Sequence, residues 1–301
     1  MARLALAALL TLALAGCGLA GTAKIEAPVT VYVSLPLTGP READGRDAAD
    51  GARLALEQAQ GKAGSIQVRA TYLDDAKGRI WDPVAVGANA RRAVQDSSAA
   101  AYIGELDSEP TRASMPITND AGLVQVSPGA GGVDLTEPAA GYPGSPDRYR
   151  PSGSPNFART VPADDAVVDA AANWASELGA TQATVSSDGS AFQDLAAAEF
   201  KSAANEHGVQ VGPSSAGPGA ASYEPGSGTL RVRGRTYAVS AELDPSRLPG
   251  RDFPGQFAHR FHRPPGPYAA YGYEAMNLLL QAIRGAGTDA SSFRDNVRNG
   301  V

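Results

Sequence analysis

Residues 29–56 of the chain are VTVYVSLPLTGPREADGRDAADGARLAL. Apolar and polar residues alternate from Val29 to Leu35, which is the periodicity of a β-strand. From Arg46 to Gln60 the apolar residues recur at helical spacing, and a Gly-Pro turn separates the two segments. A strand followed directly by a helix is the unit from which parallel α/β sheets are built.

The same alternation continues along the chain. Further strands are predicted at 66–73, 99–104, 123–127, 157–161, 181–186 and 209–211, and further helices at 84–94, 110–120, 164–178, 192–206, 253–261, 268–283 and 291–298. Gly- and Pro-rich loops interrupt the pattern at 128–155 and 212–228, and an extended segment follows at 231–241. The pattern predicts an α/β protein with two doubly wound parallel-sheet lobes.

Composition narrows the class of protein. The chain has 301 residues, of which 43% are hydrophobic, so it is neither a disordered chain nor a small disulfide scaffold. Its net charge of −6 argues against a nucleic-acid partner, because binding phosphates requires clustered Lys and Arg. A single Cys excludes an intramolecular disulfide and a metal site built from several Cys.

The N-terminus has the three-part pattern of a secretory signal peptide, predicted for residues 1–16. Cys17 follows Leu-Ala-Gly and resembles the bacterial lipoprotein box, in which the Cys thiol takes a diacylglycerol and becomes the mature N-terminus. Residues 17–27 are small and polar and are predicted to form the lipidated tether. We therefore expect an extracytoplasmic protein that is anchored to the cell membrane by lipid. The alternatives are an uncleaved anchor and an ordinary signal peptide with an incidental Cys.

The loops after the predicted strands are the candidate binding elements, because open α/β sheets bind ligands beyond the carboxyl ends of their strands. Ser108 precedes Pro110 at a helix start, where free N–H groups and a hydroxyl can bind a carboxylate or phosphate. The glycines of 127–132 allow close backbone approach to an anion. Loops 37–40 and 188–192 likewise follow predicted strands and precede predicted helices. Ordinary capping and turn chemistry also explains each loop taken singly.

Other chemistry finds little support in the sequence. His259 and His262 lie on one predicted helix without a carboxylate on that face, so a surface helix is a better interpretation than a metal pair. Asp164 and Asp165 fit helix capping better than a catalytic dyad, because neighbouring side chains diverge. Nucleophile-elbow, zinc-protease, P-loop and dinucleotide-binding motifs are missing from the sequence. We expect no enzyme, no metal and no cofactor.

Several short motifs occur in a fixed order between Val29 and Ile283. They are Gly39-Pro40 with Gly45, Asp47 and Gly51-Ala52; Tyr102-Ile103-Gly104 with Ser108; Asn119 to Gly122; Ser127-Pro128-Gly129; Phe157 to Asp165; Asp188 to Phe192 with Phe200; and Pro267 to Ala275. Together they resemble the leucine-binding branch of the type I periplasmic binding proteins, which deliver branched-chain amino acids and related solutes to ABC importers.

The resemblance implies two lobes joined by a hinge, with lobe 1 formed by 28–159 and 239–301 and lobe 2 by 160–238. It also implies a solute-binding lipoprotein whose partners are a small solute and ABC permease subunits. The alternatives are a sensor or scaffold lipoprotein that kept the fold without transport, and an extracytoplasmic hydrolase. Segment 231–241 resembles the strand that returns to lobe 1, which predicts an incomplete second lobe of three strands.

The resemblance also implies a set of ligand residues. Ser108 and the loop of Gly129, Ala130 and Gly131 would hold a carboxylate, and a backbone carbonyl at Gly129 would hold an ammonium together with an acidic residue of lobe 2. Phe192 would cover the solute. The chain departs from the family at Gly131, which has no hydroxyl, and in the missing segment that carries the acidic residue. Further departures are the carboxylates Asp107, beside Ser108, and Asp44, where the family often has an aromatic residue.

Overall fold

The computed structural model describes residues 23–245 and 252–301. The predicted signal peptide 1–16 and the predicted lipidation site Cys17 lie outside the described residues. The strands are β1 Val29–Leu35, β2 Lys62–Ala63, β3 Ile66–Asp74, β4 Ala99–Ile103, β5 Val124–Ser127, β6 Phe157–Arg159, β7 Gln182–Val185, β8 Gln210–Val211, β9 Ala220–Glu224, β10 Thr229–Val232 and β11 Arg235–Ala238. The α-helices are α1 Glu42–Gln58, α2 Pro83–Gln95, α3 Ser108–Asp120, α4 Asp164–Glu177, α5 Ala191–Glu206, α6 Phe253–Phe261, α7 Ala269–Gly285 and α8 Phe293–Asn299.

The first lobe is a sheet with the order β2-β3-β1-β4-β5-β6, parallel except for the β2–β3 pair. All seven residues of β1 are buried, because helices cover both faces of the sheet. Val31 and Val33 join the core beneath α1 and α7, whereas Tyr32 joins a second cluster with Ala90 of α2. After β1 the chain adds β2 and β3 on one side of that strand, and it then crosses to add β4, β5 and β6 on the other side. The sheet therefore has a topological switch point between β1 and β4.

The second lobe is a five-stranded sheet with the order β11-β10-β9-β7-β8. Helices α4 and α5 cover it, and the stacked rings of Phe200 and Tyr223 lie in its core with centroids 4.8 Å apart. The prediction of two α/β lobes is confirmed. The expected count of three strands for the second lobe is wrong.

The prediction of one returning strand at 231–241 is also wrong. This region forms the hairpin β10–β11, whose turn residues Arg233 and Gly234 have φ of 50° and 75°. Positive φ at both turn positions matches the twist of a two-residue hairpin. Strand β9, which pairs with β10, lies in a segment that its Gly and Pro content predicted to be a loop.

Within the described residues, two passages of chain connect the lobes, and Tyr271 of α7 is hydrogen-bonded to both. In the first passage, the Thr160 hydroxyl donates to the Tyr271 carbonyl at 2.9 Å. In the second, the Tyr271 hydroxyl donates to the Ala241 carbonyl at 2.7 Å. Val239 packs in the core of the second lobe and Leu243 against that of the first, so the chain crosses between them. Tyr271 therefore fixes both connections to one helix.

The N-terminal end of the described chain is bound to the first lobe. The Ile25 N–H donates to the Thr288 carbonyl, and the Ala290 N–H donates to the Ala23 carbonyl, both at 2.8 Å. The end of the predicted tether 17–27 thus pairs with the segment before α8. Among the helices that the structure describes, none is both long and apolar enough to cross a membrane.

Candidate functional site

A cavity of about 400 Å³ opens where the two lobes face each other. It is formed by the loops after β1, β3, β4, β5 and β6 and by the first turn of α5, which agrees with the expected place for a ligand at the carboxyl ends of the strands. Its lining residues are Arg41, Ile80, Trp81, Asp107, Ser108, Glu109, Arg112, Gly129, Gly131, Tyr142, Asp164 and Phe192.

Ser108 is the first residue of α3 and lies on the cavity wall. Its Oγ accepts the Gly132 N–H at 2.9 Å, so the hydroxyl hydrogen remains available to a ligand. The first-turn N–H groups of a helix have no partner within the helix, and they point in the same direction. This helix start can therefore bind a carboxylate.

The loop after β5 adds one backbone donor. Ser127 Oγ accepts the N–H groups of Gly129 and Ala130, and Ser108 accepts that of Gly132. Within the described chain, the Gly131 N–H forms no hydrogen bond, although Gly131 lines the cavity. The loop thus presents a free N–H beside Ser108.

The glycines of this loop are required by close packing. A Cβ on Gly129 would lie 2.3 Å from the Leu106 carbonyl oxygen. A Cβ on Gly131 would lie 2.2 Å from Oδ1 of Asp164. The missing hydroxyl at position 131 therefore has a structural reason, because the space that it would need is filled by Asp164.

Arg41 forms ion pairs with both carboxylates that the sequence placed near the site. Its Nη1 lies 2.8 Å from Oδ1 of Asp107, and its Nε lies 2.8 Å from Oδ2 of Asp44. Burial raises the pKa of Asp107, and the neighbouring guanidinium opposes this rise. Asp107 is thus held by a cation, so its repulsion of a bound carboxylate is reduced. Asp44 does not line the cavity.

A buried ion pair supports the opposite side of the cavity. Asp134 is fully buried and accepts from Arg112 through Nε at 2.8 Å and Nη2 at 2.6 Å, and from the Tyr149 hydroxyl at 2.8 Å. The guanidinium of Arg112 stacks on the ring of Tyr142, 4.5 Å from its centroid. Bidentate geometry fixes the guanidinium plane, so Tyr142 is held at the cavity wall.

Asp164 is the acidic group that the second-lobe side presents to the cavity. It is the first residue of α4, and its side chain forms no hydrogen bond with any described residue. The capping interpretation is wrong for Asp164, because Ala163 is the residue at the N-cap, no side chain caps the helix there, and the Asp164 carboxylate lies against Gly131. Burial raises the pKa of Asp164 to about 6, with Arg159 and Arg112 opposing the rise.

Apolar side chains surround the remaining space. Trp81 and Ile80 come from the loop after β3, Tyr142 from the long loop after β5, and Phe192 from the start of α5. Ile80 is 57% exposed and Phe192 is 39% exposed, which is high for large apolar residues. These side chains can bury the apolar part of a solute.

Most of the sequence-predicted site residues meet at this cavity: Asp107, Ser108, Gly129, Gly131 and Phe192. Ala130 is buried against Met115 and Leu135 behind the loop, and its side chain is not part of the cavity wall. Sequence analysis missed Arg41, Trp81 and Tyr142, whose positions depend on contacts between distant segments. His259 and His262 lie elsewhere, and the described residues contain no cluster of three or more acidic, His or Cys side chains arranged to hold a metal.

A larger cavity, of about 610 Å³, lies at the other end of the strands of the first sheet, next to Val29, Ala99 and Phe293. It is lined by residues from the amino ends of the strands, and none of its lining residues comes from the second lobe. The cleft between the lobes combines free donors, a carboxylate and apolar walls, so we take it as the functional site.

Comparison with known proteins agrees with this geometry. Residues 28–231, more than half of the chain, match the family model described as a periplasmic binding protein. The chain belongs to the periplasmic binding protein family. The predicted resemblance is thereby confirmed, and members of this family are extracytoplasmic binding proteins. No curated protein sequence gives a significant match.

Solved structures of periplasmic binding proteins share the fold. A substrate-binding protein from Desulfitobacterium hafniense, in complex with Leu, has 18% identity and a TM-score of 0.67, covering 91% of this chain and 89% of that chain. LivJ from Streptococcus pneumoniae, in complex with isoleucine, has 15% identity and a TM-score of 0.65, with coverages of 90% and 88%. A solute-binding protein from R. palustris, in complex with benzoate, has 18% identity and a TM-score of 0.64, with coverages of 91% and 85%.

Proposed function

We propose that the protein is a solute-binding lipoprotein of an ABC importer, and that it binds a branched-chain amino acid or a related small solute between its lobes. The observation that carries the proposal is the juxtaposition of free donors and a free acceptor. The Ser108 hydroxyl and the Gly131 N–H lie on the first lobe, and the Asp164 carboxylate faces them.

An α-amino acid fits this arrangement because its carboxylate and ammonium groups are attached to the same carbon. A ligand carboxylate on Ser108 and Gly131 would bring the ammonium next to Asp164, whose Oδ1 lies close to the Gly131 backbone. Hydrogen bonds in which one partner is charged are stronger than neutral ones. From the sequence, we expected the second lobe to lack an acidic partner for the ammonium group. Asp164 would fill this role.

The apolar walls suit a hydrophobic side chain. Trp81, Tyr142 and Phe192 would cover it on three sides. The related structures from Desulfitobacterium hafniense and Streptococcus pneumoniae hold Leu and isoleucine, which favours an aliphatic amino acid. The benzoate complex from R. palustris points to an aromatic carboxylate as the second candidate. Benzoate has no ammonium group for Asp164 to bind. The Asp164 carboxylate should therefore matter for binding an amino acid and not for binding an aromatic carboxylate.

Because the solute would bind between the lobes, its binding would be coupled to the closing of the two lobes around it. A solute that contacts both lobes stabilises the closed form by its differential affinity for that form. The two connections held by Tyr271 are the hinge about which the lobes would turn. The closed form would then dock on the permease subunits, while lipid on Cys17 would keep the protein at the membrane surface.

The test is a thermal-unfolding screen of the mature protein with leucine, isoleucine, valine and benzoate. A ligand at about 100 times its Kd should stabilise the protein by about 2.7 kcal/mol. Asp164→Asn should abolish stabilisation by an aliphatic amino acid and preserve any stabilisation by benzoate. Ser202→Ala, an exposed change on α5, serves as the control. Stabilisation by none of these ligands would contradict the proposed solute class.

A further inference from the structure

Two buried carboxyl groups lie directly beneath the lobe-1 wall of the cleft. Asp75, directly after β3, is 1% exposed, and Glu105, after β4, is fully buried. Their side chains are in hydrogen-bonding contact with each other. Two carboxyl groups can share a hydrogen bond only when one of them carries a proton.

Two hydroxyl groups of the cluster, those of Ser34 and Tyr102, are directed at Glu105. Oε2 of Glu105 accepts the Ser34 hydroxyl at 2.8 Å, and Oε1 accepts the Tyr102 hydroxyl at 2.6 Å. Asn89 donates to Ser34 Oγ at 3.0 Å. Oδ1 of Asp75 has no hydrogen-bond partner among the described residues. An ionised Asp75 would therefore have one buried carboxylate oxygen without a donor, which is costly in an apolar interior.

The charges around the pair also favour a retained proton. Asp74 and Asp107 are the further charged groups that act on Asp75, and both are acidic. Tyr102 is the titratable group that faces Glu105 from β4. Neither member of the pair forms an ion pair with a basic side chain of the described residues. Burial raises the pKa of Asp75 to about 6 and holds the pKa of Glu105 well above its usual range.

The pair connects two loops that form the cleft wall. Asp75 begins the loop that carries Ile80 and Trp81, and Glu105 precedes Asp107 and Ser108. We propose that Asp75 and Glu105 hold one shared proton that joins these two loops, and that loss of this proton loosens the lobe-1 wall. The two acids are then positioning residues of the binding site, and solute binding becomes dependent on pH.

The pair links a third loop through the backbone of Glu105. The Glu105 carbonyl accepts the Ser127 hydroxyl at 2.6 Å, and Ser127 Oγ accepts the N–H groups of Gly129 and Ala130. Loss of the proton would leave two negative charges side by side in a dry interior, where their repulsion is only weakly screened. The resulting displacement would reach the donors at Ser108 and Gly131. The part of this inference that concerns solute binding rests on the proposed function.

Trp81 reports on the wall without any ligand, so the test is independent of the proposed function. We would record tryptophan emission of the mature protein from about pH 6 to about pH 10, in a Trp174→Phe background that leaves Trp81 as the single tryptophan. The expected result is a sigmoidal red shift of emission, while far-UV circular dichroism stays constant. In Glu105→Gln the amide can donate to Asp75 at every pH, so the shift should vanish.

Asp75→Asn is the second variant, in case Glu105→Gln does not fold, and it should also remove the shift. Glu206→Gln, an exposed carboxyl change on α5, should retain it. The proposal is overturned if Trp81 emission of the folded parent does not change over this range. It is equally overturned if either variant folds and keeps the transition.

Discussion

Replacement of Asp164 by Asn should stabilise the solute-free protein while it weakens amino-acid binding. Burial raises the pKa of this carboxyl from 3.8 to about 6. A shift of about two units corresponds to about 3 kcal/mol, at 1.36 kcal/mol per unit. The side chain is only partly buried, so solvent screening reduces the effect, and we expect a gain of about 1–2 kcal/mol at about pH 8.

The sign follows from proton linkage. The folded state binds the proton of Asp164 more tightly than the unfolded state, so the carboxylate destabilises the fold as pH rises. The penalty is absent below about pH 3, grows between about pH 4 and about pH 6, and is complete above that. The gain from Asp164→Asn should therefore fall to about a third of its full value at about pH 4.5.

Urea unfolding at the two pH values measures this difference. Asp165→Asn is the matched control, because it removes an exposed charge from the same first helical turn. The control should give no gain at either pH. Equal stability of Asp164→Asn and the parent at about pH 8 would refute the reasoning, and so would a gain of the same size at both pH values.

Three further changes test the architecture around the site. Gly131→Ala should lower stability by about 1–3 kcal/mol in urea unfolding, because its Cβ would lie 2.2 Å from Asp164, and Asp164→Ala in the same chain should recover part of the loss. Asp134→Asn should cost about 3–5 kcal/mol by calorimetry, because Arg112 would keep a largely buried charge with only the exposed Glu109 as its ion-pair partner. Tyr271→Phe should cost about 0.5–1.5 kcal/mol and increase hydrogen exchange in the connection at Ala241 but not in the one at Thr160, which bonds to the Tyr271 backbone.

Local periodicity was sufficient for most of the fold. The alternation from Val29 to Leu35 and the helical spacing after it are properties of neighbouring residues, and β1 and α1 form there. The hairpin β10–β11 escaped prediction because its Arg233-Gly234 turn is not one of the usual hairpin dipeptides. Strand β9 was missed because Gly and Pro on both sides of it indicate a loop.

The site was predictable only in part, for a physical reason. Ser108 and Gly131 were found because strand ends and helix starts can be located from local sequence. Arg41 was missed because its partner Asp107 lies 66 residues away in the chain. Asp164 was taken for a capping residue, since acidic residues at helix starts normally cap. Only tertiary packing shows that it faces the cleft.

Calorimetric titration of leucine and isoleucine into the mature protein tests the central claim most directly, with Ser108→Ala measured beside the parent. The account predicts one molecule bound per chain. It also predicts a Kd about 10–150 times higher in Ser108→Ala, which corresponds to about 1.5–3 kcal/mol for a hydrogen bond to a carboxylate. No binding of either amino acid, or an unchanged Kd in Ser108→Ala, would contradict it.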